Sequence, residues 1–328
     1  MNILVYDVAA ETGGATTILQ YFYEQHVQDV NNHYYYILST YHLDDTENVT
    51  IINEPNVKKS WMNRICFDFF GVRKYVKRFR IEKVISLQNI ILPLFSGEQV
   101  LYVHNALPFC EYKFKVNEDF KLWIYQNVIG LLIKKSIKKS NCVLVQTEWM
   151  REAIVKYLKG NSNKVEVRFP EVDILSGYRY MSQGKSVFFF PANAARFKNH
   201  RIVFEACMLL MKQGITNYSV VFTLQGNETT EIREIYEKAQ QMGIEVIWVG
   251  NITRERVFEY YSKSILLFPS YIETVGLPIY EAKSVGCPMI LADCIYSRFV
   301  AKDYENAMFF DFNNEEELMG LMRGYILQ

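Results

Sequence analysis

Ser264-Ile-Leu-Leu-Phe-Pro-Ser-Tyr-Ile-Glu-Thr-Val-Gly-Leu-Pro-Ile-Tyr-Glu-Ala-Lys-Ser-Val-Gly-Cys-Pro-Met-Ile-Leu-Ala292 is the stretch whose reading decides the fold. Its first apolar run, 264–268, reads as a strand that stops at Pro269-Ser270. Pro278 then stands where the first helical residue is favoured, because the N–H it lacks would have no partner there. Gly286 and Pro288 close that helix before a second apolar run, 288–292. Strand, tight loop, short helix and strand in succession are the unit of a parallel sheet. The loop presents the amides of Thr274 to Leu277 as a helix N-terminus, which attracts phosphate through unpaired N–H groups and the helix dipole. Gly276 lets a diphosphate come close to the backbone. Glu273 and Glu281 flank this anion site as acceptors for hydroxyls.

The same alternation extends in both directions. In the first half, strands are expected near 2–6, 34–39, 83–88, 100–104, 141–146 and 164–168, with helices near 14–28, 60–79, 117–138 and 147–159. In the second half, strands fall near 186–191, 218–224, 245–249, 264–268, 288–292 and 306–310. The helices there fall near 198–213, 228–242, 253–262, 278–286 and 313–327. Two such series predict two doubly wound α/β domains, at 1–170 and 186–312, joined by a polar linker over 171–185. A last helix over 313–328 is expected to cross back toward the first domain. Doubly wound sheets bind ligands beyond the carboxyl ends of their strands, so the site is expected in a cleft between two facing domains.

A chain of 328 residues, half of them hydrophobic and 22% charged, is globular and long enough for two cores. The six cysteines form no Cys-x-x-Cys pair, which argues against a zinc site or a disulfide framework and suits a reducing cytoplasm. The start, Met-Asn-Ile-Leu-Val-Tyr-Asp, reads as a first strand and not as a signal peptide. No apolar run approaches the ~20 residues needed to cross a bilayer. Neutral overall charge conceals an asymmetry. Residues 1–57 hold eight Asp/Glu and no Lys or Arg, whereas 58–159 hold 19 Lys/Arg against eight Asp/Glu.

With Pro-Ser before it and Glu-Ala after it, the 264–292 stretch resembles the retaining glycosyltransferases of the GT-B fold. Among these it is similar to family 4 (group 1), whose pattern is Glu, seven residues, Glu around a Gly-Leu-Pro core. The resemblance implies two Rossmann-like domains facing a central cleft, the C-terminal one holding the nucleotide and the N-terminal one the acceptor. It implies that Glu281 binds the ribose hydroxyls and Glu273 contacts the sugar ring at the reaction centre. The amides of Val275, Gly276 and Leu277 would hold the phosphates.

Other loops fit the resemblance. After the strand at 186–191 comes Pro191-Ala-Asn-Ala-Ala-Arg196-Phe-Lys198-Asn199, and a cation there can neutralise a departing diphosphate. The family's commonest form has Arg directly after a Gly at this strand end. Here Ala192 and Asn193 stand in that place, and Arg196 is the loop's only arginine. Lys198 followed by Asn199 resembles the family's Lys-Asn pair. Gly13 and Gly14, after the first strand, match its Gly-Gly loop for donor phosphate or acceptor. His104, at the end of Leu-Tyr-Val, matches a histidine placed near the donor sugar. Asn251 and Ile252 are expected to hold the nucleobase through backbone contacts. The catalytic set implied is therefore Glu273, His104 and Lys198.

The activity implied is transfer of a hexose from a UDP-sugar, in preference to a GDP-sugar, to a glycan or lipid-linked saccharide during cell-surface polysaccharide assembly. No Asp-x-Asp motif lies in a suitable loop, so neither metal nor cofactor is expected beside the donor. A nucleotide-sugar epimerase of the same fold and a non-catalytic nucleotide-sugar-binding module are the alternatives.

Two basic segments remain: Lys58 to Arg80, and Phe120 to Lys139. Both mix cations with large apolar residues, as interfacial helices do, and are expected to give a peripheral contact with the anionic cytoplasmic leaflet. A core helix with a solvated lysine face is the alternative, and no recognition motif points to nucleic acid.

Overall fold

The computed structural model describes residues 1–11, 14–168 and 174–327. The chain divides into two compact units, Met1–Glu171 and Val172–Gln328.

The first unit is built on seven parallel strands: β1 (Asn2–Asp7), β2 (His33–Leu38), β3 (Val49–Asn53), β4 (Lys83–Ser86), β5 (Glu98–Val103), β6 (Cys142–Val145) and β7 (Val165–Val167). Their order is β3-β2-β1-β4-β5-β6-β7. Among the described residues six α-helices accompany them: α1 (Gly14–Gln28), α2 (Trp61–Cys66), α3 (Val72–Arg78), α4 (Phe120–Ile124), α5 (Gly130–Lys139) and α6 (Glu148–Tyr157). Alternate residues of the strands supply two cores. Ile3, Val5, Tyr34, Tyr36 and Leu38 pack with Ile18, Leu19 and Phe22 of α1. Leu4, Tyr6, Ile37 and Val84 pack on the opposite face with Val57 and with Val72 of α3.

The second unit has six parallel strands: β8 (Ser186–Phe190), β9 (Tyr218–Phe222), β10 (Val246–Trp248), β11 (Ile265–Phe268), β12 (Met289–Ala292) and β13 (Ala307–Phe310). Its helices are α7 (His200–Lys212), α8 (Thr230–Met242), α9 (Arg254–Tyr261), α10 (Leu277–Val285), α11 (Ile295–Val300) and α12 (Glu315–Ile326). The order β10-β9-β8-β11-β12-β13 is the winding of a Rossmann domain. Consecutive connections leave β8 and β11 in opposite directions, which opens a crevice beyond their carboxyl ends. Aromatic edges fix the middle of this sheet: the Phe190 ring meets Phe222 and Phe268 with centroids 5.9 Å apart in each pair.

Several boundaries differ from the sequence reading for local reasons. β3 was not expected. It is a short edge strand in which only Val49 is fully buried, so its hydrophobic pattern is weak. α11 has six residues and starts where the Cys294 amide donates to Ser297 Oγ at 3.1 Å, a cap no Ser, Thr or Asp at the usual position announces. The helices expected at 60–79 and 117–138 are each interrupted by a π turn, at Phe67–Gly71 and Tyr125–Ile129. Within the stretch read as a linker, the amides of Tyr180 and Met181 already donate to Val285 and Ser262 of the second unit. α12 packs on α7, β12 and β13.

Candidate functional site

Two loops border the crevice of the second unit. The first leaves β8 and makes a single tight turn at Arg196–Lys198, closed by the Lys198 amide on Ala195 O at 2.9 Å and the Asn199 amide on Arg196 O at 3.0 Å. Asn199 takes the left-handed conformation, φ 65°, and its side-chain amide donates to Phe312 O at 2.8 Å. That anchor directs Lys198 inward, while Arg196 is exposed at the start of the turn.

The second loop leaves β11 at Pro269. Ser270 is wholly buried, and its hydroxyl lies 2.8 Å from Glu273 Oε1. The Lys198 ammonium forms an ion pair with that same oxygen. Both side chains are about six-sevenths buried, at 14% and 16% exposed, so this pair exists in a medium where neither charge is well solvated. The Tyr271 amide donates to Phe197 O at 3.0 Å, and the Tyr296 hydroxyl donates to Ser270 O. The two loops are thus held together at backbone level as well as through the ion pair.

Gly276 is the N-cap of α10, with φ 73° and ψ 47°. A Cβ at this position would meet two ring carbons of Tyr296 at 3.2 Å, so the glycine answers both to its left-handed backbone and to a close neighbour. The first turn of α10 contains Pro278 and no side-chain cap. The Ile279 amide donates to Gly276 O at 2.9 Å, and the amides ahead of it lie at the positive end of the helix dipole.

Glu281 follows one turn later. Tyr261 donates its hydroxyl to Oε2 at 3.1 Å, and Arg254 Nη2 lies 3.3 Å from Oε1. Burial raises the Glu281 carboxyl above its usual range, and the Tyr261 hydroxyl and Arg254 guanidinium act against that rise. Arg254 opens α9, whose N-terminus is capped by Thr253 Oγ1 accepting from the Arg256 amide at 3.4 Å.

Beyond β8, β9 and β10 lies a cavity of about 410 Å³, lined among others by Asn193, Thr223, Gln225, Glu228 and Asn251. Thr223 Oγ1 accepts from the Ala192 amide at 3.0 Å, and the Gly250 amide donates to Leu224 O at 3.0 Å, which ties the three loops. Glu228 accepts from the amides of Gln225, Gly226 and Asn227 at 2.5, 3.1 and 3.1 Å. Partial burial would raise its carboxyl, but those three amides and its own outweigh the effect and hold it below its ordinary value. Ile252, next to Asn251, is half-buried.

In the first unit, His104 follows β5. Its backbone amide donates to Asn89 Oδ1 at 2.8 Å, and Asn89 Nδ2 stands 3.0 Å from its Nε2. Because Asn89 uses its oxygen on the amide, its NH₂ faces the ring, and Nε2 is the acceptor. Burial lowers the imidazole to about 4, so at neutral pH the ring is uncharged and carries its proton on Nδ1. Asn89 reaches this position from a left-handed backbone, φ 66°. Gly14 begins α1, and Gly13 lies outside the described residues.

Of the expected site residues, the structure brings Lys198 to Glu273, sets Glu281 on α10 behind the Gly276 cap, and places Asn251 on the cavity. Sequence reasoning missed Tyr296, Tyr261, Arg254 and Glu228. Tyr296 and Arg254 belong to a short helix and a helix start that carry no motif. Gly226 two residues ahead of Glu228 was the available signal for the amide nest.

These features define a Rossmann-type domain with a glycine-capped helix N-terminus, a buried Lys–Glu pair and a second glutamate at the switch point. Residues 181–327, most of the second unit, match the family model described as Glycosyl transferases group 1. Among solved structures the chain is similar to a sucrose-phosphate synthase from Thermosynechococcus elongatus (14% identity, TM-score 0.73, 100% of this chain and 90% of that one). It is also similar to WaaG, a glycosyltransferase involved in lipopolysaccharide biosynthesis (13%, 0.70, 100% and 91%). A third is HepE from Anabaena, solved in complex with UDP-glucose (12%, 0.64, 99% and 90%). At these identities the likeness establishes the fold, which is GT-B. No curated protein matches the sequence.

Proposed function

We propose that the protein transfers a hexose from a nucleotide diphosphate sugar, UDP in preference to GDP, to a glycan or lipid-linked saccharide, with retention of anomeric configuration. The observation that carries this reading is the Lys198–Glu273 pair set beside the N-terminus of α10 at the β8/β11 crevice. Glu281 accepts from the ribose hydroxyls, and the amides of Thr274 to Leu277 bind the diphosphate. The bond between the sugar's anomeric carbon and the diphosphate oxygen breaks, and the acceptor oxygen bonds to that carbon from the same face. The acceptor proton passes to the departing phosphate oxygen. Lys198 and the helix end carry the charge of the leaving group, so no divalent cation is required. Glu273 and His104 act on the sugar. The lining of the cavity by Asn193, Gln225 and Asn251, which are neutral and offer both donors and acceptors, suits a nucleobase. HepE, of the same fold, was solved with UDP-glucose, which supports the choice of donor. The reading places the protein on the cytoplasmic side of the cell envelope, in polysaccharide assembly.

Titration calorimetry with UDP tests it. Glu281→Ala should weaken binding by on the order of tenfold or more, the worth of a charge-assisted hydrogen-bond pair, while the thermal midpoint changes little. Unchanged affinity would remove the assignment.

A further inference from the structure

We infer that the α2–α3 and α4–α5 segments of the first unit together form one face that docks on an anionic lipid bilayer. Nine of the twenty exposed large hydrophobic residues among the described residues lie on these two runs: Trp61, Met62, Ile65, Phe69 and Phe70 on one, and Phe120, Val128, Leu131 and Leu132 on the other. Trp61 and Phe70 are each 69% exposed. A soluble surface scatters such residues singly, so a helical stripe of them marks a partner.

The topology puts both stripes on one side of the sheet. β3→β4 and β5→β6 run in the same direction across the strand order, whereas β1→β2 runs the other way. Right-handed crossovers therefore place α2, α3, α4 and α5 on the face opposite α1. The cores agree, since α1 packs on one set of alternating strand residues and α3 on the other. Each run also contains a π turn, and such turns recur at functional positions in helices.

Charge selects the occupant. Lys59, Arg73, Lys77, Lys121, Lys135 and Lys139 are exposed among these apolar residues, and none makes a salt bridge among the described residues. The acid in the middle of the first run, Asp68, is already paired with Arg64. A second copy docking through this face in a two-fold dimer would set the same cations against themselves. Nucleic acid would meet the cations but would leave Met62, Ile65, Leu131 and Leu132 without an apolar partner. An anionic bilayer satisfies both, with headgroups for the lysines and acyl chains for the apolar stripe.

The face extends the acceptor side of the glycosyl-transfer reading, since a lipid-linked acceptor lies at such a surface. Its test uses neither donor nor acceptor, so the two can fail separately. The full chain is floated with vesicles of phosphatidylcholine alone, and with vesicles containing about one-third phosphatidylglycerol, at about 0.15 M salt. Binding is expected to the anionic vesicles only, with a blue shift in Trp61 emission. Arg73→Ala/Lys77→Ala/Lys135→Ala should weaken it by about a hundredfold, from about fivefold per cation. Phe70→Ser/Leu131→Ser should weaken it by at least about tenfold without moving the thermal midpoint, because both residues are exposed. Absence of binding to anionic vesicles, or binding that survives both variants, would overturn the proposal. So would concentration-dependent dimerisation, seen by light scattering and abolished by Phe70→Ser/Leu131→Ser, in a protein that ignores vesicles.

Discussion

Replacing Gly276 by alanine tests the reasoning about the anion site more sharply than removing a charge, because α10 carries its own control. The helix is bounded by two left-handed glycines, Gly276 at φ 73° and Gly286 at φ 80°. An alanine at either position has to hold a backbone conformation that costs about 1 kcal/mol. At Gly286 nothing lies within 4 Å of the added Cβ, so the backbone term is the whole effect. At Gly276 the Cβ meets Tyr296 ring carbons at 3.2 Å. That ring is buried, and its hydroxyl is bonded to Ser270 O, so it has little room to move. Overpacking of this kind adds about 1–3 kcal/mol. With about 2–4 °C per kcal/mol for a unit of this size, Gly286→Ala should lower the thermal midpoint of the second unit by about 3 °C. Gly276→Ala should lower it by about 5–12 °C on the same scale. The more telling readout is nucleotide affinity. Moving Tyr296 displaces Ser270, and with it Glu273 and the amides ahead of α10. UDP binding by calorimetry should therefore fall by on the order of tenfold or more in Gly276→Ala and stay unchanged in Gly286→Ala. Equal losses in the two variants, of stability or of affinity, would refute the role given to the Gly276–Tyr296 contact.

Two further outcomes follow from the ion pairs. If Glu281 binds the nucleotide as proposed, it does so as a carboxylate; burial raises its pKa and Arg254 counters the rise, so Arg254→Gln should move the acid limb of the UDP-affinity curve to higher pH. Arg254→Lys should restore much of the original profile, and an unshifted limb in Arg254→Gln would show that the guanidinium does not govern Glu281. Lys198→Met strands the mostly buried Glu273 carboxylate, and should cost about 3 kcal/mol in urea unfolding and at least about a hundredfold in turnover. Lys198→Met/Glu273→Leu should recover most of the stability and none of the turnover; a double variant no more stable than the single would contradict a desolvated pair.

The parts of this fold that were legible in the sequence are those whose signal is local. Pro269-Ser270, Gly276, Pro278 and Gly286-x-Pro288 each punctuate the chain by a conformational rule, and together they delimit β11, α10 and β12 within a residue or two. Glu273 and Lys198 could be named because they sit just after strands. Their mutual pairing could not be read, since they stand 75 positions apart and meet only because the chain between them folds so that β8 and β11 become neighbours. Arg254 and Tyr261 were invisible for the same reason, because on one helix they look like part of an ordinary charged surface. The π turns escaped as well. No residue type in Phe67–Gly71 announces the extra residue of a π turn, and the flanking residues keep a helical apolar periodicity. The expectation of unbroken helices at 60–79 and 117–138 followed from that periodicity alone.

The ties between loops divide the second unit's working surface into two parts. Tyr271 on Phe197, Tyr296 on Ser270 and Lys198 on Glu273 bind the β8 and β11 loops into one mechanical piece. The 410 Å³ cavity draws most of its polar lining from elsewhere, with Thr223, Gln225 and Glu228 after β9 and Asn251 after β10. Exchange of Gln225 or Asn251 would therefore alter the lining of the cavity without disturbing the Lys198–Glu273 pair. On the proposed reading, recognition of the base is free to drift while the atoms around the reacting phosphate stay locked.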